Sequence, residues 1–301
     1  MSAPRAIVTG ASGQDGSYLT EQLAGRGYDV RRVDRGDVDL LDPSAVASLL
    51  REVEPAEVYN LASPSFVPAS WQEPVEATRL GTAGLTVLLE AVRETDPAVR
   101  IFQASSAEVY GEPAETPQTE RTPLRPVSPY GAAKAYGNFM VEAYRRRYGL
   151  HASCGILYNH ESPRRPSEFL PSKVAHGVAA IAAGRRSELV LGDLDARRDW
   201  GYAPDYVEAM WLMLQQDEPG DYVVATGEPH TVQELVELAF AHAGLDWREH
   251  VRVDESLRRG QGYQLVGDAS KARERLGWKP SVTFEQLVAL LVDAARSAVV
   301  S

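Results

Sequence analysis

The chain has 301 residues, a formal net charge of -11 and one cysteine, Cys154. The negative charge argues against nucleic-acid binding, which depends on cationic contacts to phosphate. A lone cysteine excludes an intramolecular disulfide and suits a reducing compartment. No window approaches the roughly 18 apolar residues of a membrane span. We therefore expect a soluble cytoplasmic protein that binds neither nucleic acid nor a membrane.

Strand and helix patterns alternate along the first half of the chain. Apolar, β-branched runs predict five strands, and segments with apolar residues at helical spacing predict a helix between each pair. Such alternation is typical of a parallel sheet covered by helices on both faces. We predict an α/β fold with a Rossmann-like, doubly wound parallel sheet. The predicted strands are 5–10, 29–34, 57–63, 100–106 and 151–159, and the helices are 17–28, 42–53, 76–94 and 130–149.

The second half is less regular. Residues 160–173 are rich in proline and charge and predict a loop, followed by shorter strands and helices. No repeat or low-complexity linker separates the halves, so we expect two lobes that share an interface. We assign 1–158 plus about 199–226 to a dinucleotide-binding domain, and 159–198 plus 227–301 to a smaller mixed α/β substrate-binding lobe.

A glycine-rich loop lies between the first strand and the first helix. Gly10, Gly13 and Gly16 form a GxxGxxG pattern in "TGASGQDG". The three glycines permit a tight turn, close approach of backbone N–H groups to a pyrophosphate, and close packing of the helix on the sheet. The following helix N-terminus offers partial positive charge to phosphate. This position in an alternating pattern predicts a dinucleotide site.

The end of the second strand bears on which nicotinamide cofactor binds. Asp34 is placed to accept hydrogen bonds from the adenosine ribose and to repel a 2′-phosphate, which favours NAD. Arg35, with Arg31 and Arg32 nearby, offers charge for the 2′-phosphate of NADP instead. Asp34 could also be an ordinary turn residue at a strand end.

Tyr130 and Lys134 are four residues apart on a predicted helix, so they share one face. A tyrosine with a pKa of about 10 is a poor base at neutral pH. We expect the Lys134 ammonium and a cationic nicotinamide ring to lower the pKa of Tyr130. The phenolate could then take a hydroxyl proton while hydride leaves the same carbon.

These motifs together resemble the extended short-chain dehydrogenase/reductases that act on nucleotide sugars. The match narrows to the GDP-mannose 4,6-dehydratases and covers nearly the whole chain. Its most specific parts are "NHESPRR" at 159–165 and "RRDWGYAPDYVEAMW" at 197–211. The resemblance implies a nucleotide-sugar 4,6-dehydratase, a hydro-lyase whose substrate is a GDP-sugar.

The resemblance also implies a role for Glu108, a carboxylate where small turn residues are expected. Ser106 would hydrogen-bond the sugar 4-hydroxyl that Tyr130 deprotonates, and hydride would move from C4 to the cofactor. Glu108 would then remove the acidified C5 proton and help the 6-hydroxyl leave as water, before hydride returns to C6. The alternative is that Glu108 is an exposed turn residue. Relatives that act on dTDP-glucose carry an aspartate at the position of Ala107.

Binding residues are carried over by the same resemblance. An arginine such as Arg198 suits a diphosphate because its planar fork gives paired hydrogen bonds, although Arg198 could instead only pair with Asp199 or Asp205. His160 is expected to be structural, and no His/Cys/Asp cluster has metal-ligand spacing.

The expected cofactor contacts are Gly10, Gly13, Gln14, Asp15, Gly16, Asp34, Arg35, Asp39, Leu40, Leu61, Ala62, Tyr130 and Lys134, and the expected substrate contacts are Ser65, Asn159, Lys173, Arg198 and Arg259.

The sequence departs from the family after the second strand. GDP-mannose dehydratases carry a long segment there that contributes to NADP binding and to tetramer contacts, and this chain lacks it. The family implies NADP as the cofactor, but NAD remains an alternative. We predict a homodimer built on helices around Thr82–Glu94 and Tyr130–Tyr148. Pro64 and Phe66 depart from the family pattern near the sugar, so another nucleotide sugar remains an alternative substrate. A 4-keto-6-deoxy-sugar reductase and a dinucleotide-sensing binding protein are the alternative functions.

Overall fold

The strands and helices follow from a computed structural model of the protein that describes residues 3–257 and 264–300. The strands in these ranges are β1 (Arg5–Thr9), β2 (Asp29–Val33), β3 (Glu57–Asn60), β4 (Arg100–Ala104), β5 (Ala152–Leu157), β6 (Asn159–Glu161), β7 (Leu189–Leu191), β8 (Arg197–Tyr202), β9 (Asp221–Val224), β10 (Pro229–Thr231) and β11 (Val251–Val253). The helices are α1 (Gln14–Gly25), α2 (Pro43–Val53), α3 (Val67–Gln72), α4 (Pro74–Arg79), α5 (Leu85–Thr95), α6 (Pro129–Tyr148), α7 (Leu170–Ala182), α8 (Ala203–Leu214), α9 (Val232–His242), α10 (Ser270–Leu276) and α11 (Phe284–Val300).

The large sheet has the strand order β2-β1-β3-β4-β5-β9. Each neighbouring pair is parallel, so the carboxyl ends of these strands lie along one edge. The order reverses between β1 and β3, and such a switch point is where open α/β sheets bind ligands. The predicted Rossmann-like, doubly wound sheet is confirmed.

Helices cover the large sheet on both faces, and its central strands are therefore buried on both sides. Apolar residues of α2 and α5 pack with Ile7, Val58 and Ile101 on one face. On the opposite face, residues of α1, α8 and α10 pack with Val8, Tyr59 and the neighbouring buried side chains of the sheet. The sheet is therefore held rigidly beneath the loops at its carboxyl edge.

A second lobe is built on two small sheets. One has the order β10-β8-β6 and the other pairs β11 with β7. Their core is formed with α7, α9 and α11. Helix α10 instead packs with the large sheet, where the indole N–H of Trp278 donates to the carbonyl oxygen of Asp205 at 2.7 Å. The domain boundaries given above stay a prediction.

One local prediction was wrong and a second was incomplete. The expected loop 160–173 contains most of β6 and the first turn of α7. β6 forms because it pairs with β8, a contact that local sequence does not encode. The expected helix 76–94 is divided into α4 and α5 by a π-helical turn, Leu80–Gly84. No helix in the described part of the chain is long and apolar enough to cross a bilayer.

Candidate active site

A cleft of about 1280 Å³ runs from the switch point of the large sheet into the second lobe. Single small-molecule pockets are typically about 300–1,000 Å³, so this cleft has room for two ligands. Arg259 lies outside the described residues. The predicted residues that line the cleft are Gly10, Gly13, Gln14, Asp15, Gly16, Asp34, Arg35, Asp39, Leu40, Leu61, Ala62, Ser65, Ser106, Glu108, Tyr130, Lys134, Asn159, Lys173 and Arg198.

The glycine loop has the backbone geometry that a pyrophosphate site needs. Gly10 has a φ of +68°, a conformation that favours glycine, and a Cβ at Gly16 would overlap the carbonyl oxygen of Gly10. Helix α1 begins at Gln14, with Gly13 as its N-cap, and no side chain within the described residues caps it. Its first N–H groups can therefore face an anion. The residues present fit a dinucleotide.

Thr9 fixes the turn that follows β3. Its hydroxyl donates to Asn60 Oδ1 at 2.8 Å and accepts the N–H groups of Leu61 and Ala62, each at 3.1 Å. Because β1 and β3 flank the switch point, this network holds Leu61 and Ala62 beside the glycine loop. Sequence patterns gave Thr9 no role, since its partners are more than 50 residues away.

Asp34 lies against the glycine loop. Its Oδ1 accepts the backbone N–H of Ser12 at 2.7 Å, and its own N–H donates to Asp37 Oδ2 at 2.8 Å. The carboxylate is thereby held at the end of the cleft that Arg35 also lines. A negative charge is fixed where the adenosine ribose of a Rossmann cofactor is expected.

The first turn of α6 carries Tyr130. The helix begins at Pro129, and Ser128 caps it by accepting the Gly131 N–H at 3.0 Å. One turn later, Lys134 points Nζ at the carbonyl oxygen of Ala104, 2.9 Å away, and lies 5.6 Å from the centre of the Tyr130 ring. Burial lowers the pKa of Lys134 to about 8.

The protein groups alone leave the pKa of Tyr130 raised, and the lowering expected from Lys134 together with a cationic nicotinamide stays a prediction. Burial raises this pKa to about 12, a hydrogen bond with Ser106 lowers it, and the negative charge of Glu108 raises it. Lys134 contributes less than expected because its ammonium is directed at Ala104. Ser106 is therefore the residue in the cleft that most favours the phenolate.

Glu108 occupies a short 3₁₀ turn, Ala107–Val109, directly after β4. The hydroxyl of Ser106 accepts the Glu108 N–H at 3.3 Å, and a Cβ at Gly131 would lie 2.6 Å from the Glu108 carbonyl oxygen. The turn is thus packed against the start of α6. The Glu108 side chain is half-buried in the cleft, where burial raises its pKa and Arg198 lowers it.

Arg198 and Asn159 come from neighbouring parallel strands, β8 and β6. Arg198 donates from Nη1 to the carbonyl oxygen of Arg197 at 2.7 Å. Asp199, one of its two expected alternative partners, accepts hydrogen bonds from Thr226 and Gly227. Arg198 instead acts electrostatically on Glu108 across the cleft.

Asp205, the other expected partner of Arg198, accepts the Ser281 N–H at 2.9 Å. The remaining substrate candidates approach the cleft from different elements. Lys173 extends from α7 and donates to the carbonyl oxygen of Val190 at 3.0 Å. Ser65 precedes α3 and is exposed.

His160 joins the second lobe to α1. Its Nε2 lies 2.9 Å from Asp15 Oδ2 and its Nδ1 lies 2.7 Å from the carbonyl oxygen of Tyr158. Both partners can only accept, so both ring nitrogens carry protons and the ring is cationic. Burial lowers the pKa of His160, but Asp15 raises it further, and the net shift is upward. The neighbouring Arg165 pairs with Glu161 at 3.5 Å.

Comparison with known proteins identifies close relatives. A family model described as GDP-mannose 4,6 dehydratase matches residues 7–291. GDP-mannose 4,6 dehydratase 1 of Arabidopsis thaliana is 45% identical over 320 residues, which cover 96% of this chain and 88% of that protein. The structure of RMD from Pseudomonas aeruginosa complexed with NADPH has a TM-score of 0.90 and 26% identity, with 98% of this chain and 100% of that chain covered. UDP-glucose 4-epimerase of Thermus thermophilus in complex with NAD has a TM-score of 0.85 and 30% identity, with 98% and 99% covered.

Proposed function

The chain belongs to the GDP-mannose 4,6-dehydratase family and is a nicotinamide-dependent nucleotide-sugar 4,6-dehydratase, and we propose that its substrate is GDP-mannose and its product GDP-4-keto-6-deoxymannose. The observation that carries the proposal is that the Glu108 carboxyl shares one cleft with Tyr130 and Ser106. Reduction of a ketone needs a proton donor but no base beside the ring, whereas elimination of water needs one.

We assign the first proton transfer to Tyr130. Its phenolate takes the proton of the sugar 4-hydroxyl, and the Ser106 hydroxyl holds both oxygens in place. Lys134 fixes the start of α6 against the end of β4 and adds positive charge near the ring. A nicotinamide dinucleotide held by the glycine loop would supply the acceptor for the C4 hydride and its donor to C6, and its positive charge would favour the phenolate.

We assign the elimination to Glu108. In the 4-keto sugar the C5–H is acidified by the neighbouring carbonyl, and the Glu108 carboxylate removes that proton. The resulting carboxylic acid then gives a proton to the 6-hydroxyl, which leaves as water when the C6–O bond breaks and a C5–C6 double bond forms. Hydride addition at C6 is completed by a proton at C5, which we assign to the Tyr130 phenol that was protonated in the first transfer. A carboxyl that both takes and gives a proton works best with a pKa nearer to neutrality, and burial raises the pKa of Glu108 in that direction.

The substrate diphosphate is assigned to Arg198 and Lys173. Both line the cleft, and the charge of Arg198 lowers the pKa of Glu108, which supports assigning Arg198 to a position near the sugar. Arginine forms paired, charge-assisted hydrogen bonds with phosphate oxygens. Asn159 lies on the strand next to that of Arg198 and is assigned to the sugar nucleotide as well.

A nicotinamide dinucleotide is the cofactor, and within that class the proposal is NAD. The Asp34 carboxylate is held against the glycine loop by the Ser12 N–H. It is placed to accept the ribose hydroxyls, and its charge opposes a 2′-phosphate. Arg35 lines the same end of the cleft and is the residue that favours NADP.

The quaternary structure is proposed to be a homodimer through α5 and α6. Phe139 and Tyr148 of α6 are 59% and 48% exposed, which is unusual for large apolar side chains on a long helix. Light scattering is expected to give a dimer, and Phe139→Glu is expected to give a monomer. A stable tetramer, or a dimer unaffected by Phe139→Glu, contradicts this assignment.

The substrate assignment is tested by incubating the protein with GDP-mannose and analysing the product by mass spectrometry. The expected product is lighter by one water, with no net change in the absorbance of reduced nicotinamide. A 4-keto-sugar reductase would consume reduced cofactor, and a sensor would bind cofactor without converting any sugar. Conversion of dTDP-glucose or UDP-glucose in place of GDP-mannose would support the dehydratase reaction but contradict the assignment of GDP-mannose as the substrate.

A further inference from the structure

The N-terminal turn of α1 is tied to the second lobe by side chains that the catalytic assignment does not use. The partners in the second lobe are residues 160–164, which begin within β6 and which we call the strap. Gln14 and Asp15 belong to α1 itself and directly follow the glycine loop. The contacts therefore join a cofactor-binding element to the segment that carries the substrate lobe.

The side chain of Gln14 is committed to these contacts. Its amide nitrogen donates to Asp15 Oδ1 at 3.0 Å and to the carbonyl oxygen of His160 at 3.1 Å. Its amide oxygen accepts the hydroxyl of Ser162 at 2.8 Å. Both amide protons are thus used within the protein, so the amide nitrogen has no hydrogen left to donate to a dinucleotide.

Asp15 is committed in the same way. One carboxylate oxygen accepts from Gln14, and the other accepts from the cationic ring of His160 at 2.9 Å. The Asp15 pKa is lowered because the attraction of His160 outweighs burial, which alone would raise it. The negative charge at the start of α1 is therefore neutralised by the strap.

A second set of contacts lies nearer the surface. Arg164 donates from Nη1 to Ser17 Oγ at 3.0 Å and from Nη2 to Glu21 Oε2 at 2.9 Å. Its guanidinium also stacks over the Tyr18 ring, 3.9 Å from the centre. An exposed ion pair alone contributes little, but here one guanidinium makes three contacts along two turns of α1.

The strap and the next residue, Arg165, contact the two elements that carry the diphosphate candidates, β8 for Arg198 and α7 for Lys173. β6 pairs in parallel with β8, where Asn159 is registered with Trp200, two residues from Arg198. On its other side, the carbonyl oxygen of Arg165 accepts the hydroxyl of Ser172, the residue next to Lys173, at 3.0 Å. A shift of α1 is therefore transmitted to both sides of the diphosphate site over a few residues.

We propose that the strap couples the two ligand sites, so that cofactor at the glycine loop raises the affinity for the nucleoside diphosphate of the substrate. Arg164 and Ser162 are positioning residues in this arrangement, because neither lines the cleft and both hold α1 to the strap. Coupling of this kind is reciprocal, so the nucleotide also tightens cofactor binding by the same factor. The inference rests on the proposed diphosphate site.

Calorimetric titration with GDP tests the coupling, since GDP lacks the sugar and does not reach the nicotinamide. GDP is titrated with and without saturating oxidised cofactor, and the ratio of the two dissociation constants is the coupling factor. We expect a factor of about fivefold or more in the unmodified protein. Arg164→Ala and Ser162→Ala are each expected to reduce the factor at least about threefold, while GDP binding without cofactor stays within about twofold.

A matched control separates coupling from general destabilisation. Arg26 holds the other end of α1 with the same chemistry, an ion pair to Glu208 at 2.7 Å and a stack over Trp211 at 3.9 Å, but its partners are on α8. Arg26→Ala is expected to leave the coupling factor unchanged.

The outcomes distinguish the strap from the substrate assignment. An unchanged coupling factor in both Arg164→Ala and Ser162→Ala overturns the proposal that the strap couples the two sites. An equal reduction of the coupling factor in Arg26→Ala overturns it as well. If UDP or dTDP binds in place of GDP, the guanine assignment fails and the same variants are compared with that nucleotide. If no nucleoside diphosphate binds the cofactor-loaded protein, both proposals are overturned.

Discussion

Lys134 donates a hydrogen bond of 2.9 Å to the carbonyl oxygen of Ala104, the last residue of β4. This bond fixes the helix that carries Tyr130 relative to the strand that leads to Ser106 and Glu108. The lysine is 7% exposed, so its ammonium is held in a largely desolvated place. Lys134 therefore contributes to the site both by fixing the position of Tyr130 and by its positive charge.

We predict that Lys134→Met lowers kcat about a hundredfold while the affinity for the nucleotide sugar changes little, because the charge beside Tyr130 and the bond to Ala104 are both lost. Steady-state kinetics and calorimetry measure the two quantities. Lys271→Met is the matched control, since Lys271 also donates to a backbone carbonyl and lies 4.4 Å from a tyrosine ring centre, outside the cleft. A near-normal kcat in Lys134→Met would remove Lys134 from the mechanism.

Ser106→Ala is predicted to shift the pH dependence of kcat. The hydrogen bond from Ser106 lowers the pKa of Tyr130, which burial has raised to about 12. Without that bond the phenolate forms only at higher pH, so kcat at neutral pH should fall about tenfold or more and recover as the pH rises. Ser106→Thr keeps the hydroxyl and should retain the parental profile. A uniform loss at every pH would show that Ser106 acts otherwise.

Asp34→Asn is predicted to change the cofactor preference. The amide keeps an acceptor for the Ser12 N–H but removes the charge that opposes a 2′-phosphate. The ratio of NAD to NADP affinity should fall about tenfold, an effect of the size expected for one charged hydrogen bond. Asp37→Asn, at a nearby carboxylate that accepts the Asp34 N–H and does not line the cleft, is the control. An unmodified protein that prefers NADP would overturn the assignment of NAD.

Glu161 is predicted to make stability depend on pH. Burial raises its pKa to about 7, with Arg165 opposing the shift, whereas an unfolded glutamate titrates near about 4.3. Between those values the folded state binds more protons than the unfolded state, so the free energy of unfolding falls as pH rises. Urea unfolding at several pH values should show this slope, and Glu161→Gln should flatten it. Equal slopes in the two proteins would contradict the raised pKa.

The parts of the site that sequence patterns predict are those set by local spacing. The glycine loop of Gly10, Gly13 and Gly16 and the Tyr130–Lys134 pair depend on contacts within one turn or one helix, and both lie where they were expected. Their identity as functional residues stays a prediction that the variants above test.

The parts that were missed depend on partners far along the chain. β6 exists because of β8, and the side chain of Asp15 is directed at His160, 145 residues away. The pKa of Tyr130 in the absence of cofactor has a related cause, since burial is a property of the whole fold and raises this pKa. Sequence spacing shows which groups are adjacent, but desolvation decides their charge states.

The rate at which Glu108→Gln forms the water-loss product from GDP-mannose is the most direct test of the proposed mechanism. The amide keeps the shape of the side chain but cannot remove the C5 proton, so we predict a loss of at least about a hundredfold. Glu112→Gln, at an exposed position outside the cleft, should be unaffected. Turnover of Glu108→Gln within about threefold of the parent would contradict the assignment of the elimination to this carboxyl.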